Sequence, residues 1–559
     1  MNHLRYKIIV EGVVQGVGFR PFIYQLAQRF GLAGTVCNDT RGVTIEVEGR
    51  QTMLRRFVAA VSGEKPPLAA IQSVDVLTIP ARGDNGFRIL QSAVDKSRRA
   101  QVAADSFVCD DCLAELFDPA DRRYRYPFIN CTNCGPRYSI VTGIPYDRPL
   151  TTMADFPLCT DCQAEYDDPA SRRFHAQPNA CPSCGPQLQL VTPDGSTVGC
   201  ADPLAETVRR LKDRQIVAIK GLGGYHLAVD AADRNAVAEL RRRKQREERP
   251  FALMAKNLDA VAKLAAFGAD ETRLLQGSER PIVLLRKRPG HGLAENIAPG
   301  NRDFGVMLPY TPLHHLLLVH FEALVMTSAN LADEPIAFED DDARRRLASI
   351  ADAFLLHNRR IHTRTDDSIA RVMANRPLLL RRSRGFVPRG IALPAEKSLV
   401  LAVGAELKNT ICLTRGDRAF LSQHVGDLKN LEVYDSFRNT ISHLQHLLAV
   451  EPQRVAHDLH PDYYSTRYAL EDSGLPAVAV QHHHAHLARC LAEHGMREPA
   501  IGVIFDGIGY GVDGHIWGGE FLVGDLKDYQ RLGHLKYQPM PGGDLATRQP
   551  WRMALSYLL

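Results

Sequence analysis

The sequence predicts a multidomain chain of mixed α+β and α/β class, on three observations. Strand and helix patterns before residue 92 follow the order βαββαβ, and four CxxC pairs repeat in tandem between Cys109 and Cys184. Beyond residue 200, strands deliver short polar loops at their ends, as in ligand-binding α/β sheets. A chain of 559 residues holds about three or four domains. Its apolar fraction of 45% and charged fraction of 24% are ordinary for a globular protein, and a net charge of +4 is too slight to imply nucleic acid by itself. No apolar run reaches the roughly eighteen residues of a membrane span, and MNHLRYKIIVEG lacks a signal-peptide core. Eight of the twelve cysteines fall in CxxC pairs, which suits a reducing compartment; a cytoplasmic location is expected.

In the first segment, a strand over Tyr6–Gly12 enters GVVQGVGFR, followed by a helix PFIYQLAQRF with Pro21 in its first turn. Strands through Ala33–Asp39 and Val43–Val47, a helix over Gln51–Val61 and two closing strands give the ferredoxin-like order. A Gly-Val-Gly loop before a helix N-terminus presents backbone N–H groups to an anion, and Arg20 adds a fork of donors. Asn38 could hold a water for attack. An ordinary glycine turn capping a helix accounts equally for the loop alone. The segment closely resembles acylphosphatase, on Gly12, Gln15, Gly16, Val17, Phe19 and Arg20 and on Gly34, Val36 and Asn38. The resemblance implies Arg20 as phosphate anchor, Asn38 as the water-orienting group, and hydrolysis of an acyl phosphate without a covalent intermediate.

The tandem block has internal symmetry. CDDCLAELFDPADRRYRY recurs fifty residues later as CTDCQAEYDDPASRRFHA, and each half closes on a second CxxC followed by Gly-Pro. Cys109, Cys112, Cys131 and Cys134, with Cys159, Cys162, Cys181 and Cys184, therefore predict two tetrahedral zinc sites of four cysteines each. Four thiolates leave no open position, so both ions are structural. A redox motif needs one CxxC, not a tandem duplicate. Pairing within each repeat is simplest; crossed pairing stays open.

From about residue 201 to 390, a helix Pro203–Asp213 and a strand Ile216–Lys220 lead into a turn, GLGGYHLAVD, whose glycine spacing is not that of a dinucleotide fingerprint. The basic run Arg241–Met254 reads first as a solvated helix face, but its cations stop at Pro250 beside PFALM, where they can meet a polyphosphate. A buried turn-helix over Gly305–Leu318 precedes a strand Ala323–Met326, which delivers Thr327-Ser328-Ala329-Asn330. Polar clusters follow at Asp366–Arg371 and Arg381–Pro388. Together these resemble the YrdC-like domains, which make carbamoyl-type adenylates. Lys244 and Arg246 match the family's Lys-x-Arg, and Ser328 and Asn330 its Ser-x-Asn; Arg249 stands where a lysine is usual. The resemblance implies ATP with Mg2+, nucleotide or carbamate held by Lys244, Arg246, Arg249, Ser328, Asn330 and Arg381, and release of pyrophosphate.

The last segment, about 398 to 559, opens with a strand Leu399–Val403 and the turn GAELKNTICL, of the kind that grips phosphate in actin-like ATPases. Helix-like sequence spans Asn430–Ala449. In QHHHAHLARCL, His482 and His486 lie four apart on one helical face and can reach one ion. Asp506, at the end of strand Ile501–Phe505, is a candidate third ligand, and this donor set suits iron or zinc better than calcium. His483 and His484 point elsewhere on the helix and are at best substrate-facing. The segment resembles the O-carbamoyltransferase lobe related to tRNA threonylcarbamoyl transferases, on His482, His486 and the Asp506-Gly507 loop. That family continues through a second lobe with another metal-binding aspartate. The sequence stops at Leu559 in a helix-like run, so a partial actin-like lobe is expected.

The four segments, divided at 1–92, 105–190, 201–390 and 398–559, resemble in this order the carbamoyltransferase family of [NiFe]-hydrogenase maturation. The resemblance implies that carbamoyl phosphate is cleaved, carbamate is adenylated with ATP, and the carbamoyl group passes to the C-terminal cysteine of HypE for cyanide synthesis. Two rival readings are a tRNA threonylcarbamoylation-type enzyme and a non-catalytic zinc scaffold binding RNA. The first has no use for an acylphosphatase unit. The second could draw on Arg122–Arg123, Arg172–Arg173 and Arg241–Arg243, but aromatic platforms are sparse.

Overall fold

The computed structural model describes residues 3–39, 41–90, 101–331, 334–393, 398–543 and 545–559. They form two compact units: residues 1–389 with 422–426 and 439–449, and residues 390–421 with 427–438 and 450–559.

The first unit opens with β1 (His3–Val13), α1 (Phe19–Arg29), β2 (Ala33–Asn38), β3 (Gly42–Arg50), α2 (Gln51–Gly63), β4 (Ala70–Ile79) and β5 (Phe87–Ile89). The sheet order is β4-β1-β3-β2-β5; β1 runs antiparallel to both neighbours, and β2 lies parallel to β5. Period-two alternation sends Ile8, Val10, Val36, Ile45 and Val47 to one face, where Ile23 and Leu26 of α1 and Leu54 and Phe57 of α2 cover them. Each such side chain contributes about 1.5–3 kcal/mol on burial. The helix α1 starts two residues ahead of the PFIYQLAQRF reading, so Arg20 rides on its first turn. Pro21 remains within the four positions whose N–H groups have no intrahelical partner. The boundary expected at 92 lies outside the described residues.

The cysteine block contributes α3 (Asp110–Phe117) and α4 (Thr160–Asp167), each starting directly after the first cysteine of a CxxC. Cys112, Leu116, Tyr126, Phe128 and Ile129 join Leu204, Val208, Val217 and Ile219 in one apolar core. The block is therefore continuous with the α/β domain rather than strung beside it. That domain is built on an eleven-stranded mixed sheet among the described residues, from Leu188–Val191 at one edge to Arg376–Arg381 at the other. Its helices Pro203–Lys212 and Arg234–Lys244 start where Asp202 and Asp233 accept hydrogen bonds from their first N–H groups. One expectation is corrected here: GLGGYHLAVD is a turn only as far as Gly224. Tyr225–Asp230 is a strand, buried along nearly its whole length, antiparallel to Val217–Lys220 and to Ala323–Ser328.

The second unit carries a six-stranded sheet, in which Val400–Ala402, Arg454–Asp458 and Ala477–Val480 run parallel side by side. A three-stranded antiparallel sheet follows, of Ala500–Tyr510, Ile516–Gly524 and Tyr529–His534. The helix His482–Glu493 follows the Ala477–Val480 strand, capped by the Gln481 side chain. The last described helix is Trp551–Leu558. Among the described residues no helix is long and apolar enough to cross a membrane.

Candidate functional sites

At the cradle, the chain turns through Gly16 (φ +72°) and Gly18 (φ +73°) before α1 begins. Added Cβ atoms would stand 3.0 Å from the Tyr146 ring at Gly16 and 3.2 Å from Thr132 at Gly18, so side chains are excluded by the neighbouring block as well as by φ. Arg20 and Asn38 are buried and line one pocket with Gly16, Gly18, Thr132, Arg137, Tyr146, His175 and Gln177. The cysteine block is thus the roof of the cradle. Gln15 ties them: its Nε2 donates to the Asp39 and Gly42 carbonyls (both 2.7 Å) and its Oε1 accepts from the Tyr146 N–H (3.0 Å). Arg137 donates from Nε to the Gly16 carbonyl and from its terminal nitrogens to the carbonyls of Cys134 (3.0 Å), Pro136 (2.7 Å) and Thr132 (2.9 Å). Arg20 Nη2 meets Asp147 Oδ1 at 3.1 Å. Burial, and then the Arg20 charge, push His175 down to about 4, so its imidazole is neutral near pH 7. Helix-terminal N–H groups, a guanidinium and an asparagine amide can bind a phosphoryl group and orient a water.

The cysteines resolve into two clusters, Cys109/Cys112/Cys131/Cys134 and Cys159/Cys162/Cys181/Cys184, so pairing is within each repeat. Sulfur–sulfur separations are 3.6 Å for Cys109–Cys131 and Cys112–Cys134, 3.8 Å for Cys131–Cys134, and 3.7 Å for Cys159–Cys181 and Cys181–Cys184. A tetrahedron with Zn–S near 2.3 Å has edges of about 3.8 Å. Both clusters fit structural zinc. The arginine pairs cross between the repeats. Arg122 and Arg123 bind Glu165 (2.7 and 2.5 Å), while Arg172 (2.5 Å) and Arg173 bind Glu115. Arg122 also reaches Cys162 Sγ (3.3 Å) and Arg172 reaches Cys112 Sγ (3.7 Å). Arg241 spends its donors on the carbonyls of Arg246 (2.8 Å) and Ile297 (2.7 Å), and Arg242 and Arg243 bind Glu239 (both 2.7 Å). Most of these arginines are tied to acids or carbonyls of the chain itself, with Arg242 on an exposed helix face, which weakens the support for an RNA scaffold.

In the α/β domain, Lys244 ends its helix buried, its Nζ donating to the Ser328 carbonyl (2.9 Å), Asn330 Oδ1 (2.8 Å) and the Asn330 carbonyl. Ser328 Oγ lies 3.0 Å from Asn330 Oδ1, and Arg246 reaches Thr327 Oγ1 (3.4 Å) and the Pro250 carbonyl (2.7 Å). Burial, then the Arg246 charge, bring Lys244 down to about 7. Burial and the charges of Arg249, Arg241 and Arg381 bring Arg246 down to about 10. Arg249 and Arg381 therefore share the field of the Lys-x-Arg pair, and a cluster of cations in mutual repulsion suits a polyphosphate. A second pocket lies between this domain and the cysteine block, lined by Phe128, Gly135, Pro136, Lys220, Tyr310, His357 and Arg359. The segment Gly135-Pro136-Arg137 borders both pockets.

In the second unit, His482 and His486 converge on Asp506: their Nε2 atoms lie 2.9 and 3.3 Å from Asp506 Oδ2. Asp458, at the end of its strand, accepts from His482 Nδ1 at 2.6 Å. Hydrogen bonds to Asp458 and Asp506 raise His482 to about 9, and those from His482 and His486 lower Asp506. Two imidazoles, one carboxylate and a second carboxylate fixing the ring that ligates match the donor set of a metal centre with open positions. The neighbouring histidines have contacts of their own outside this cluster. His483 is fully buried beside Trp517, 6.0 Å between ring centroids, and His484 Nε2 donates to the Asp525 carbonyl at 2.9 Å.

Sequence reasoning missed Asp147, Arg137, His175 and Asp458. One signal was there for His175: at an offset of fifty residues it replaces Arg125, and both residues adopt positive φ (54° and 56°). Nothing local marks Asp147 or Asp458.

Five family profiles match the chain: acylphosphatase over 6–89, the HypF finger over 108–141 and 158–191, a family described as telomere recombination over 209–383, the HypF Kae1-like domain over 395–493, and the second subdomain of the carbamoyltransferase Kae1-like domain over 502–559. Carbamoyltransferase HypF2 of Cupriavidus necator is 53% identical over 99% of the chain and 72% of its own length. Carbamoyltransferase HypF of Synechocystis is 48% identical over 99% and 72%. A crystal structure of full-length HypF in the phosphate- and nucleotide-bound form superposes with a TM-score of 0.97 at 47% identity, covering 100% of this chain and 73% of that one. With an acylphosphatase domain, cysteine fingers and a Kae1-like lobe on one polypeptide, the protein is an enzyme of the carbamoyltransferase class. The chain belongs to the HypF carbamoyltransferase family.

Proposed function

We propose that this chain cleaves carbamoyl phosphate at Arg20 and Asn38, adenylates the carbamate at the Lys244 cluster, and passes the carbamoyl group to the C-terminal cysteine thiol of HypE during [NiFe]-hydrogenase maturation. Water attacks the acyl phosphate to give carbamate and phosphate. The carbamate oxygen then attacks the α-phosphorus of ATP, brought with Mg2+, and pyrophosphate leaves. A thiolate displaces AMP from the carbonyl, leaving a thiocarbamate. Carbamate by itself acylates badly because its anionic oxygen is a poor leaving group; adenylation repairs that.

The observation supporting this reading is that the cysteine block roofs the Arg20 cradle and shares one apolar core with the domain that bears the Lys244 cluster. Arg137 lines the cradle, and its neighbours Gly135 and Pro136 line a second pocket with Lys220 and Arg359; the Lys244 cluster is in the lining of neither. Carbamate decomposes in water, and a cradle joined through one core to the adenylating domain favours handing it over without release. Lys244, Arg246, Arg249 and Arg381 would hold the phosphates, with Ser328 and Asn330 fixing the Lys244 ammonium. In the second unit His482, His486 and Asp506 would hold a further ion, iron or zinc, whose charge polarises the carbonyl. Asp458 holds His482 so that Nε2 faces that centre.

AMP release from ATP tests the reading. It should depend on carbamoyl phosphate and stop in Arg20→Ala; dependence on threonine with bicarbonate instead would assign the chain to tRNA threonylcarbamoylation.

A further inference from the structure

The phosphate anchor of the cradle has an acidic neighbour. Asp147, on the loop between the two cysteine repeats, places Oδ1 3.1 Å from Arg20 Nη2, and a quarter of its side chain remains exposed. A carboxylate beside the guanidinium of an anion site weakens that site for every phosphorylated ligand, because like charges must approach each other. Its loop is also held firmly. Tyr146 N–H is bonded to Gln15, and Arg148 donates to the carbonyls of Gln177 (2.5 Å) and Asn179 (2.9 Å). A fixed acid in this position needs a compensating donor, and the phosphoryl group offers none.

The acyl end of the substrate can. In carbamoyl phosphate the carbonyl carbon bears NH2, with two N–H donors; in acetyl phosphate or a longer acyl phosphate the same position bears only carbon. We propose that Asp147 is a specificity-determining residue, whose carboxylate accepts from the carbamoyl NH2 once the phosphoryl group has taken over Arg20. Simple alkyl acyl phosphates would offer that carboxylate no donor in return for the Arg20 contact it gives up. A site built to hydrogen-bond a substrate N–H rejects the analogue lacking it far more strongly than a purely apolar pocket could. The neutral imidazole of His175, on the same roof, adds no positive charge that would cancel the acid. The proposal rests on the reading of the cradle as the carbamoyl phosphate site and adds that a residue at its rim, next to Arg20 and to the lining residue Tyr146, tells carbamoyl from alkyl.

The test compares kcat/KM for carbamoyl phosphate and for acetyl phosphate, by phosphate release, in the full chain and in Asp147→Ala and Asp147→Asn. In Asp147→Ala the carbamoyl-to-acetyl ratio should fall about ten- to a hundredfold, the span of a hydrogen bond to a charged group. Asp147→Asn keeps the shape and an accepting oxygen and should fall less. Zinc content and the thermal transition should match the parent. A ratio that stays within about twofold in both variants, with both substrates losing rate in parallel, would make Asp147 a holder of Arg20 and overturn the proposal. Should Arg20→Ala hydrolyse both compounds at the parent rate, the reading of the cradle itself fails, whatever Asp147 does.

Discussion

The cysteine clusters and the His482 centre use similar atoms for opposite ends. Each cysteine cluster is closed, with four sulfurs at the corners of a small tetrahedron and with arginines from the other repeat packed against Cys112 and Cys162. The His482 centre offers three donors, and both His486 and Asp506 are exposed to solvent or partly so, as open coordination positions require. The first kind of site puts its free energy into the fold. On the function proposed above, the second would leave coordination free for a reacting group, held by a neighbouring carboxylate instead of by more ligands.

The contrast can be broken most violently at a cysteine. Cys109→Ser should cost the first zinc and, with structural zinc contributing on the order of 10 kcal/mol, the folding of the first unit. Elemental analysis with circular dichroism checks this, and a folded variant retaining two zincs would contradict it. His482→Ala with His486→Ala should do the reverse. Any third metal disappears, both cysteine-bound zincs stay, and the thermal transition barely moves, while transfer to the acceptor thiol is lost. Asp458→Asn sharpens the point, since it touches no metal. It should weaken metal affinity about ten- to a hundredfold by loosening the His482 ring, read by competition with a chelator of known affinity. The smallest effect extends the comparison to a site for an organic anion. Lys244 titrates at about 7 when free, and bound polyphosphate favours its charged form, raising that value. ATP affinity is therefore fully developed below about pH 7 and falls as pH rises, by at most about tenfold per pH unit. Calorimetric titration should show proton uptake that Lys244→Met removes.

What was readable in the sequence follows the range of the interactions. The fifty-residue repeat announced two metal sites because ligand spacing is a local property. The cradle was announced by glycines whose positive φ is also local. Pairing within repeats stayed open until Cys109–Cys131 and Cys159–Cys181 contacts were visible across twenty-two residues. The helix His482–Glu493 was legible, but not that His483 is core, because that depends on Trp517 in a later strand. The arginine pairs looked like a basic surface, since Glu115 and Glu165 meet them only across the repeat. Strand Tyr225–Asp230 was hidden behind the glycines that precede it. The Asp147–Arg20 pair spans 127 positions and left no trace in either neighbourhood.

Arg137 has a consequence beyond geometry. Its single guanidinium is shared between carbonyls of the first cysteine knuckle and the carbonyl of Gly16, on the loop ahead of α1. Loss of the ion clamped by Cys109, Cys112, Cys131 and Cys134 would therefore take the cradle down with the fold, although the cradle contains no metal of its own.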